Sequence, residues 1–484
     1  MSSAHIKKIY SLNSLKLYKI IAPIMIRFFK KHKIAPNLTE GNILNNIYIL
    51  ALPLLVRAVL ESFQSVIDMF WVGRLGPEAL AGVAMGGTIV MVLFPLLIGI
   101  GTGTTVMVAR AIGAKNQEAA DNAATQSIII ALITAAALCL IGILFSHELL
   151  KLLQASPEVI LIGESYLKVI MVGGVAMTML FLCGSILQGA GDAVTPMKIM
   201  GLSVIGNIIL DPFLIFGWLG LPAMGVKGAA LATVIAEGTG SFFLLYILFK
   251  GKSNIHIRFD KYKINFAAIS QIFKIGIPSS LQMLARHLMN LVLMAIVAGY
   301  GTYAVAAYGI GLRLRMLFLL PAFSFGAAAA TLVGQNLGAK QPDRAHKTAW
   351  LAALVTAGIM SAIGIILFAF SENVISLFNK NPEVILIGVK YLKITSLFFP
   401  AIAFGVIFGR AINGAGDTIP PMVITFVTLW LIQIPLALIL PKYTILGLNG
   451  IWWAISIVTL IQGILNLVWF ERGNWKLKKV HLYS

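Results

Sequence analysis

The sequence predicts an all-α integral membrane protein with twelve transmembrane helices in two parallel six-helix repeats. The 484 residues are 59% hydrophobic and only 11% charged, which is too little charge to cover the surface of a soluble protein. Apolar runs of about 20 residues, long enough to cross a bilayer, recur along the chain. The seven residues PEVILIG also occur twice, at 157–163 and at 382–388.

The apolar runs predict six spans in each half of the chain. Their interiors are rich in Gly and Ala, and none alternates apolar and polar residues as a strand of a membrane barrel does. In the first half the spans lie near 46–72, 81–108, 124–146, 160–187, 197–219 and 226–249. In the second half they lie near 266–298, 303–333, 350–378, 385–412, 420–441 and 449–470.

The two halves share one register, 225 residues apart. The same offset aligns QGAGDAVTPM (188–197) with NGAGDTIPPM (413–422), and Pro53 with Pro278. Because six is an even number, both copies enter the membrane in the same orientation, and two such lobes can rock about a central cavity to give alternating access. The predicted domains are a basic tail, an N-lobe, a linker, a C-lobe and a second tail: 1–43, 44–249, 250–265, 266–470 and 471–484.

The net charge of +19 reflects orientation in the membrane. If both termini are cytoplasmic, the cytoplasmic loops and tails hold about three times as many Lys and Arg residues as the opposite side. We therefore expect a multi-pass protein of the inner or plasma membrane that contacts anionic lipid and no nucleic acid. The tail 1–43 is too broken by charge for a signal peptide; a surface helix and an unfolded leader both fit it.

Motifs that would indicate an enzyme are missing. The GKS at 251–253 lacks the preceding Gly of a phosphate-binding loop, since Tyr246 stands there. We expect neither enzymatic activity nor a cofactor. GIGTGTT (99–105) instead predicts close helix packing, and Thr195-Pro196 resembles a capped helix start.

Apart from acids near the span ends, four acidic residues fall inside predicted spans, all in the first half: Glu61, Asp68, Asp211 and Glu237. The positions equivalent to Asp68 and Asp211 in the second copy hold leucine. A role in folding would recur in both copies, whereas an ion-coupling site is needed only once. Intramembrane carboxylates are costly and are usually paired or functional.

Spacing brings these polar groups onto shared helix faces. Glu61 and Asp68 are two turns apart, and Asn207 and Asp211 are one turn apart. Carboxylate, amide and hydroxyl oxygens together could hold a proton or Na⁺. The alternative is an internal salt bridge to one of four intramembrane arginines: Arg57, Arg286, Arg313 or Arg315.

Apolar side chains in the spans are candidates for lining a substrate cavity, although such residues also face lipid or the core. The candidates are Phe63, Phe181, Met283 and Met289, with Arg286 beside them and Met69, Phe70, Met316 and Phe318 as further members.

Several motifs, in order, resemble the multidrug and toxic compound extrusion (MATE) family. They are VIDMFWVGRLGPEALAGVAM (66–85), LQGAGDAVTPM (187–197), NIILDPFLIFG (207–217), GVKGAALATVIAE (225–237) and LVGQNLGAK (332–340). The resemblance runs from about residue 44 to 470. It implies two six-helix lobes that export small, lipophilic cationic drugs in exchange for H⁺ or Na⁺.

The resemblance also implies which residues couple the ion. The family's cation site matches Asp68 in the first helix, Asn207 and Asp211 in the fifth and Thr233 in the sixth, and its bending proline matches Pro53. For Na⁺, the matching ligands are those on the first and fifth helices.

Two departures from the family pattern stand out. The seventh helix has Arg286 where one branch has a Glu, and the tenth has no acid, which resembles the DNA-damage-inducible branch, with coupling in the N-lobe. Glu61 stands where Gln or an apolar residue is usual, so we count it as a further candidate for coupling.

Three other functions compete with drug export. A flippase for lipid-linked sugars, from the same superfamily, would carry extra helices and a more cationic cavity. A membrane enzyme lacks its catalytic motif, and a receptor would show an appended soluble domain. We expect the exporter to act as a monomer, because both lobes lie on one chain.

Overall fold

The structure is helical along its described length. The computed structural model describes residues 37–259, 261 and 263–482, and every regular element within them is a helix. Residues from Asn37 onward form one compact unit. The predicted surface helix or leader in the basic tail lies outside the described residues up to position 36. The boundaries of the N-lobe and C-lobe stay a sequence prediction, and we use both names for the two halves.

In the N-lobe the helices extend beyond the apolar runs by one or two turns. Short 3₁₀ turns, Gly73–Leu75 and Trp218–Gly220, follow the first and sixth of them. The helices are α1 (Ile43–Val72), α2 (Pro77–Gly113), α3 (Gln117–Leu152), α4 (Pro157–Val172), α5 (Gly174–Gly189), α6 (Val194–Phe216) and α7 (Val226–Phe249).

The C-lobe repeats this order with more interruptions. A π-helical segment, Val427–Gln433, joins two helices of one span, and a 3₁₀ turn, Asn474–Leu477, follows the last helix. The helices are α8 (Phe266–Ala298), α9 (Thr302–Phe318), α10 (Leu320–Gly338), α11 (Pro342–Ala369), α12 (Ser371–Ser376), α13 (Pro382–Ser396), α14 (Phe399–Gly414), α15 (Ile419–Phe426), α16 (Ile434–Tyr443) and α17 (Asn449–Glu471).

The described residues contain ten helical segments long and apolar enough to cross a membrane, and twelve spans when each of two bent pairs counts as one. The predicted all-helical fold is confirmed, but two predicted spans are broken: α4 and α5 meet at 46°, and α13 and α14 at 54°. The first break falls at Gly173, which packs too closely on Val234 to carry a side chain. The second precedes Pro400, whose ring nitrogen cannot donate to the preceding turn.

Helix α6 starts at a different cap from the one predicted. The Asp192 Oδ1 accepts hydrogen bonds from the backbone N–H groups of Val194, at 3.1 Å, and Thr195, at 2.9 Å. The Thr195 hydroxyl donates to the same carboxylate. The predicted Thr195 cap was wrong, because an acid three residues earlier satisfies the free N–H groups of the first turn.

The two lobes meet at one end of the bundle, which we call the terminal face because both described ends of the chain lie there. Arg110 Nη2, at the end of α2, donates to the carbonyl oxygens of Ala415, at 2.8 Å, and Lys478, at 3.1 Å. Arg344 Nη2 donates to the carbonyl of Glu40 at 2.8 Å. The terminal face is therefore held shut by bonds that join the lobes and both chain ends.

Glycines let the lobes approach closely on the way to this face, as the GIGTGTT stretch predicts. A Cβ at Gly103 of α2 would collide with the backbone of Ile272 on α8. A Cβ at Gly276 would lie 2.8 Å from the Gly99 carbonyl oxygen. Only glycine permits this contact between α2 and α8.

Candidate functional site

The acids of the N-lobe gather where α1, α6 and α7 meet. Asp68 lies in the last turns of α1, Asn207 and Asp211 on successive turns of α6, and Thr233 and Glu237 on successive turns of α7. Asn207 and Asp211 are completely buried. We call these five residues the acidic cluster.

Hydrogen bonds link α6 to α7 inside the acidic cluster. The Asn207 Nδ2 donates to Asp211 Oδ1 at 3.5 Å and to Thr233 Oγ1 at 3.4 Å. The Thr233 hydroxyl in turn donates to the carbonyl of Ala229 at 3.2 Å. The amide of Asn207 therefore fixes the orientation of both neighbours.

Asp68 and Asp211 face each other across the gap between α1 and α6. The Asp68 carboxyl group lies close to Asp211 and to Asn207. Two ionised carboxylates this close repel each other strongly in a low-dielectric site, and a hydrogen bond between them needs a proton on one. The pair is therefore suited to take up one positive charge.

Unpaired oxygens give the acidic cluster spare ligands. Asp68 Oδ1, Asn207 Oδ1 and Asp211 Oδ2 are buried and have no hydrogen-bond partner among the described residues. Oxygen ligands of this kind suit a hard cation. No group of three or more His, Cys, Asp or Glu residues in the described part of the chain converges on a metal-ion site. The acidic cluster instead offers carboxylate oxygens together with one amide and one hydroxyl oxygen.

Glu61 belongs to a different contact. It forms an ion pair with Arg57, one turn earlier on α1, with Arg57 Nε 2.8 Å from Glu61 Oε1. An internal salt bridge of this kind is the alternative to ion coupling that the sequence left open for Glu61. Its carboxylate still lies within electrostatic range of Glu237, so it adds to the negative field of the acidic cluster without bonding to Asp68.

Tyr166 on α4 is a member of this region that the sequence did not suggest. It lies within electrostatic range of Asp68 and Asp211. Its repeat partner, Tyr391, lies within electrostatic range of Arg315 in the C-lobe. A signal existed in the repeat itself, because PEVILIGESYLKV and PEVILIGVKYLKI keep the tyrosine while the two residues before it differ.

Pro53 lies inside α1, which continues through it to Val72. Proline removes one backbone hydrogen bond from the helix and so permits a bend there. Asp68 lies on the same helix, so a bend at Pro53 would move it relative to α6.

The predicted substrate residues divide between two cavities. The central cavity, of about 280 Å³, lies between the lobes and is lined by Phe181 and by the Arg57–Glu61 pair. The C-lobe cavity, of about 320 Å³, is lined by four of the predicted residues, Met283, Arg286, Met289 and Met316. Phe63 lines neither of these two cavities and is 56% exposed.

Known proteins resemble the chain over nearly all of its length. A profile of the MatE family matches residues 53–213 and again 278–439. The probable multidrug resistance protein NorM of Thermotoga maritima is 31% identical over 435 residues, which are 89% of this chain and 93% of that protein. A Shewanella oneidensis protein described as an FAD transporter is 29% identical, over 88% of this chain and 93% of that protein.

Solved structures share the fold. One from Pyrococcus furiosus superposes with a TM-score of 0.86 at 26% identity, over 93% of this chain and all of that one. It is described with the words "reverse polarity of binding pocket suggests different function of a MOP superfamily transporter". These relatives and neighbours are transporters of the same architecture. The chain therefore belongs to the MatE family of multi-pass membrane proteins, which its motifs resemble.

Proposed function

We propose that this protein is a secondary active exporter that exchanges amphiphilic drugs for H⁺ or Na⁺ bound at the acidic cluster. The observation that carries the proposal is the facing pair of Asp68 and Asp211 with unpaired oxygens inside a membrane bundle. An ionised carboxylate at mid-membrane costs roughly 2.5–3.5 kcal/mol on insertion scales. An entering cation removes that cost, so its binding energy can drive a conformational change.

The conformational change would act through α1, the helix that carries Asp68. Binding of a cation neutralises the pair between α1 and α6, and Pro53 supplies a point at which α1 can bend in response. A bend moves Arg57 and Glu61, which line the central cavity. Drug release would follow cation binding for this reason.

The orientation of the protein in the membrane determines on which side the ion enters and the drug leaves. The excess of Lys and Arg assigns the terminal face to the cytoplasm. Because the lobes are bonded to each other at this face, a cytoplasmic terminal face would make this conformation the outward-open one. The ion would enter the acidic cluster from outside, and the drug would leave the same way.

Lipophilic cations are the first substrate class to test, because the exporters that the sequence motifs resemble carry cationic drugs. Confinement of the acidic cluster to the N-lobe supports placing the chain in the DNA-damage-inducible branch. Twelve spans favour an exporter over a flippase with extra helices. Both lobes on one chain support function as a monomer.

Everted vesicles test the proposal. Cells that lack their own pumps would express the full chain, and uptake of ethidium into everted vesicles would be followed with a pH gradient and a Na⁺ gradient imposed separately. We expect one gradient to drive uptake and its collapse to stop it. Uptake that depends on ATP, or on neither gradient, would overturn secondary active export.

A further inference from the structure

The C-lobe cavity is lined mostly by apolar side chains, and its polar side chains include two arginines that no acid neutralises. The other polar side chains include His287, Asn290, Gln433, Thr459 and Gln462. Arg286 of α8 and Arg315 of α9 both face it. Arg286 Nη2 donates to Thr425 Oγ1 at 3.5 Å, and Arg315 Nη2 donates to Thr459 Oγ1 at 3.4 Å. These long bonds to neutral hydroxyls leave both positive charges uncompensated.

Carboxylates are kept away from this cavity. Within the described residues neither Arg286, Arg315 nor the nearby Arg410 forms an ion pair. The acidic residues of the C-lobe all lie at helix ends or in loops: Asp343, Glu372, Glu383, Asp417 and Glu471. The salt bridges that the sequence allowed for Arg286 and Arg315 are therefore not formed.

The internal repeat makes the reversal of charge explicit. The position equivalent to Glu61 holds Arg286, and the position equivalent to Asp68 holds Leu293, which lines the C-lobe cavity. The repeated tyrosine is retained, with Tyr166 near carboxylates in the N-lobe and Tyr391 near Arg315 in the C-lobe. One duplicated site thus became acidic in the first copy and basic in the second.

We propose that the C-lobe cavity binds the acidic headgroup of an amphiphilic anion. The two guanidinium groups would hold a carboxylate, sulfonate or phosphate, and Met283, Met289 and Leu293 would pack against its apolar part. A volume of about 320 Å³ suits a small aromatic or acyl group. That this anion is also an exported substrate rests on the proposed function.

This cavity and the central one are neighbours that share lining residues. Arg286 also lines a small pocket of about 30 Å³ together with Arg410. Arg410 reaches the central cavity, and Phe323 lines all three spaces. An anion in the central cavity would therefore meet successive positive charges on its way into the C-lobe.

A matched pair of fluorescent probes tests the proposal on the full chain in phosphatidylcholine nanodiscs. The anion is 1-anilinonaphthalene-8-sulfonate, and the neutral control is N-phenyl-1-naphthylamine, which has the same rings without the sulfonate. Energy transfer from tryptophan to each probe gives its dissociation constant. The test variant is Arg286→Gln with Arg315→Gln, and the control is Arg313→Gln, an exposed residue of α9 outside the cavity.

We expect the test variant to bind the anion at least about tenfold more weakly, equivalent to about 1.4 kcal/mol. Binding of the neutral probe should stay within about twofold, which also shows that the variant is folded. Arg313→Gln should change neither constant. Unchanged affinity for the anion in the test variant, or equal loss of both probes, would overturn the proposal.

Two further experiments identify the source of the anion and distinguish anion binding from ion coupling. In phosphatidylglycerol nanodiscs, loss of the arginine-dependent part of binding identifies a lipid headgroup as the occupant, and its retention identifies a soluble anion. Asp68→Asn with Asp211→Asn should bind the anion normally. The two proposals can therefore fail separately. The aspartate variant can lose ion-driven export and still bind the anion, and the arginine variant can lose anion binding and still export cations.

Discussion

Glu61 is the residue whose role changes most between sequence and structure. Its carboxylate is partly exposed and pairs with Arg57 one turn away, and such an exposed pair stabilises a protein by at most about 1 kcal/mol. We predict that Glu61→Gln leaves export largely intact and displaces its pH optimum, because the change alters the field at Glu237.

The measurement is export against pH in proteoliposomes, with thermal unfolding recorded alongside. Glu164→Gln is the control, since Glu164 forms a similar pair with Lys168 on α4. Complete loss of export in Glu61→Gln, with the control active, would make Glu61 a coupling residue.

Asn207 should contribute less than the two aspartates. It is fully buried and donates to both Asp211 and Thr233, but it carries no charge. Loss of such a neutral ligand costs about 1–3 kcal/mol. We predict that Asn207→Ala weakens the apparent affinity for the coupling ion about tenfold or more and preserves the maximal rate, measured as export against ion concentration. A lost maximal rate at saturating ion would contradict this.

At the residue scale, the sequence could point to candidate functional residues whose type is rare inside an apolar span. An acid inside an apolar span is unusual enough to make Asp68 and Asp211 candidates from the sequence alone. Tyr166 and Arg410 carry no such signal in the sequence, and only packing brings them beside the acidic cluster and the cavities. Phe63 was a candidate because an aromatic side chain in a span can line a cavity. Such a side chain faces lipid just as readily, so the sequence alone could not place it.

At the scale of a helix, Pro53 gives the clearest prediction. The missing backbone bond in α1 permits a bend, and alanine would restore that bond and stiffen the helix by up to about 3 kcal/mol. We predict that Pro53→Ala inserts normally and turns over more slowly. The control is Pro278→Ala at the repeat position in α8, which carries no acidic residue.

Initial rates of export and the amount of protein in the membrane would be measured for both variants. Wild-type rates in Pro53→Ala would contradict the hinge. Equal slowing in both variants would assign the bend to helix mechanics common to the two lobes, and would likewise contradict a specific role for α1.

Helix positions were predictable and helix breaks were not. Apolar length set the twelve spans, because the bilayer demands it. The bends at Gly173 and before Pro400 depend on tertiary contacts and on one missing donor inside a continuous apolar run. The same holds for the start of α6, where the sequence predicted a Thr195 cap and the folded chain brings the Asp192 carboxylate onto the N–H groups of Val194 and Thr195.

For the molecule as a whole, closure of the terminal face is the testable feature. Gly338 of α10 packs directly on the backbone of Arg110. A larger side chain there should force the lobes apart at this end. We predict that Gly338→Leu opens the central cavity toward the terminal face, whereas Gly358→Leu does not, because Gly358 faces open space.

The readout is labelling of a cysteine placed at Ala327, which lines the central cavity, in a Cys139→Ser, Cys183→Ala background. An impermeant maleimide added to everted vesicles should label the Gly338→Leu variant and spare the others. Equal labelling of all variants would show that the lobe contacts do not close this face.

The duplication explains why the two-lobed architecture was predictable, since one register fixes both lobes. The conformation was not predictable, because the open and closed states consist of the same helices. They differ only in the face at which the two lobes contact each other. The charge of the C-lobe cavity was also hidden, since its arginines lie on different helices that only folding brings together.

The central claim is that coupling resides in the acidic cluster of the N-lobe, and Asp68→Asn and Asp211→Asn test it most directly. Each variant would be reconstituted in proteoliposomes with a defined pH or Na⁺ gradient, with Glu148→Gln, an exposed acid of α3, as the control. We predict that both aspartate variants lose gradient-driven export while the control retains it. Normal gradient-driven export by both aspartate variants would contradict this account.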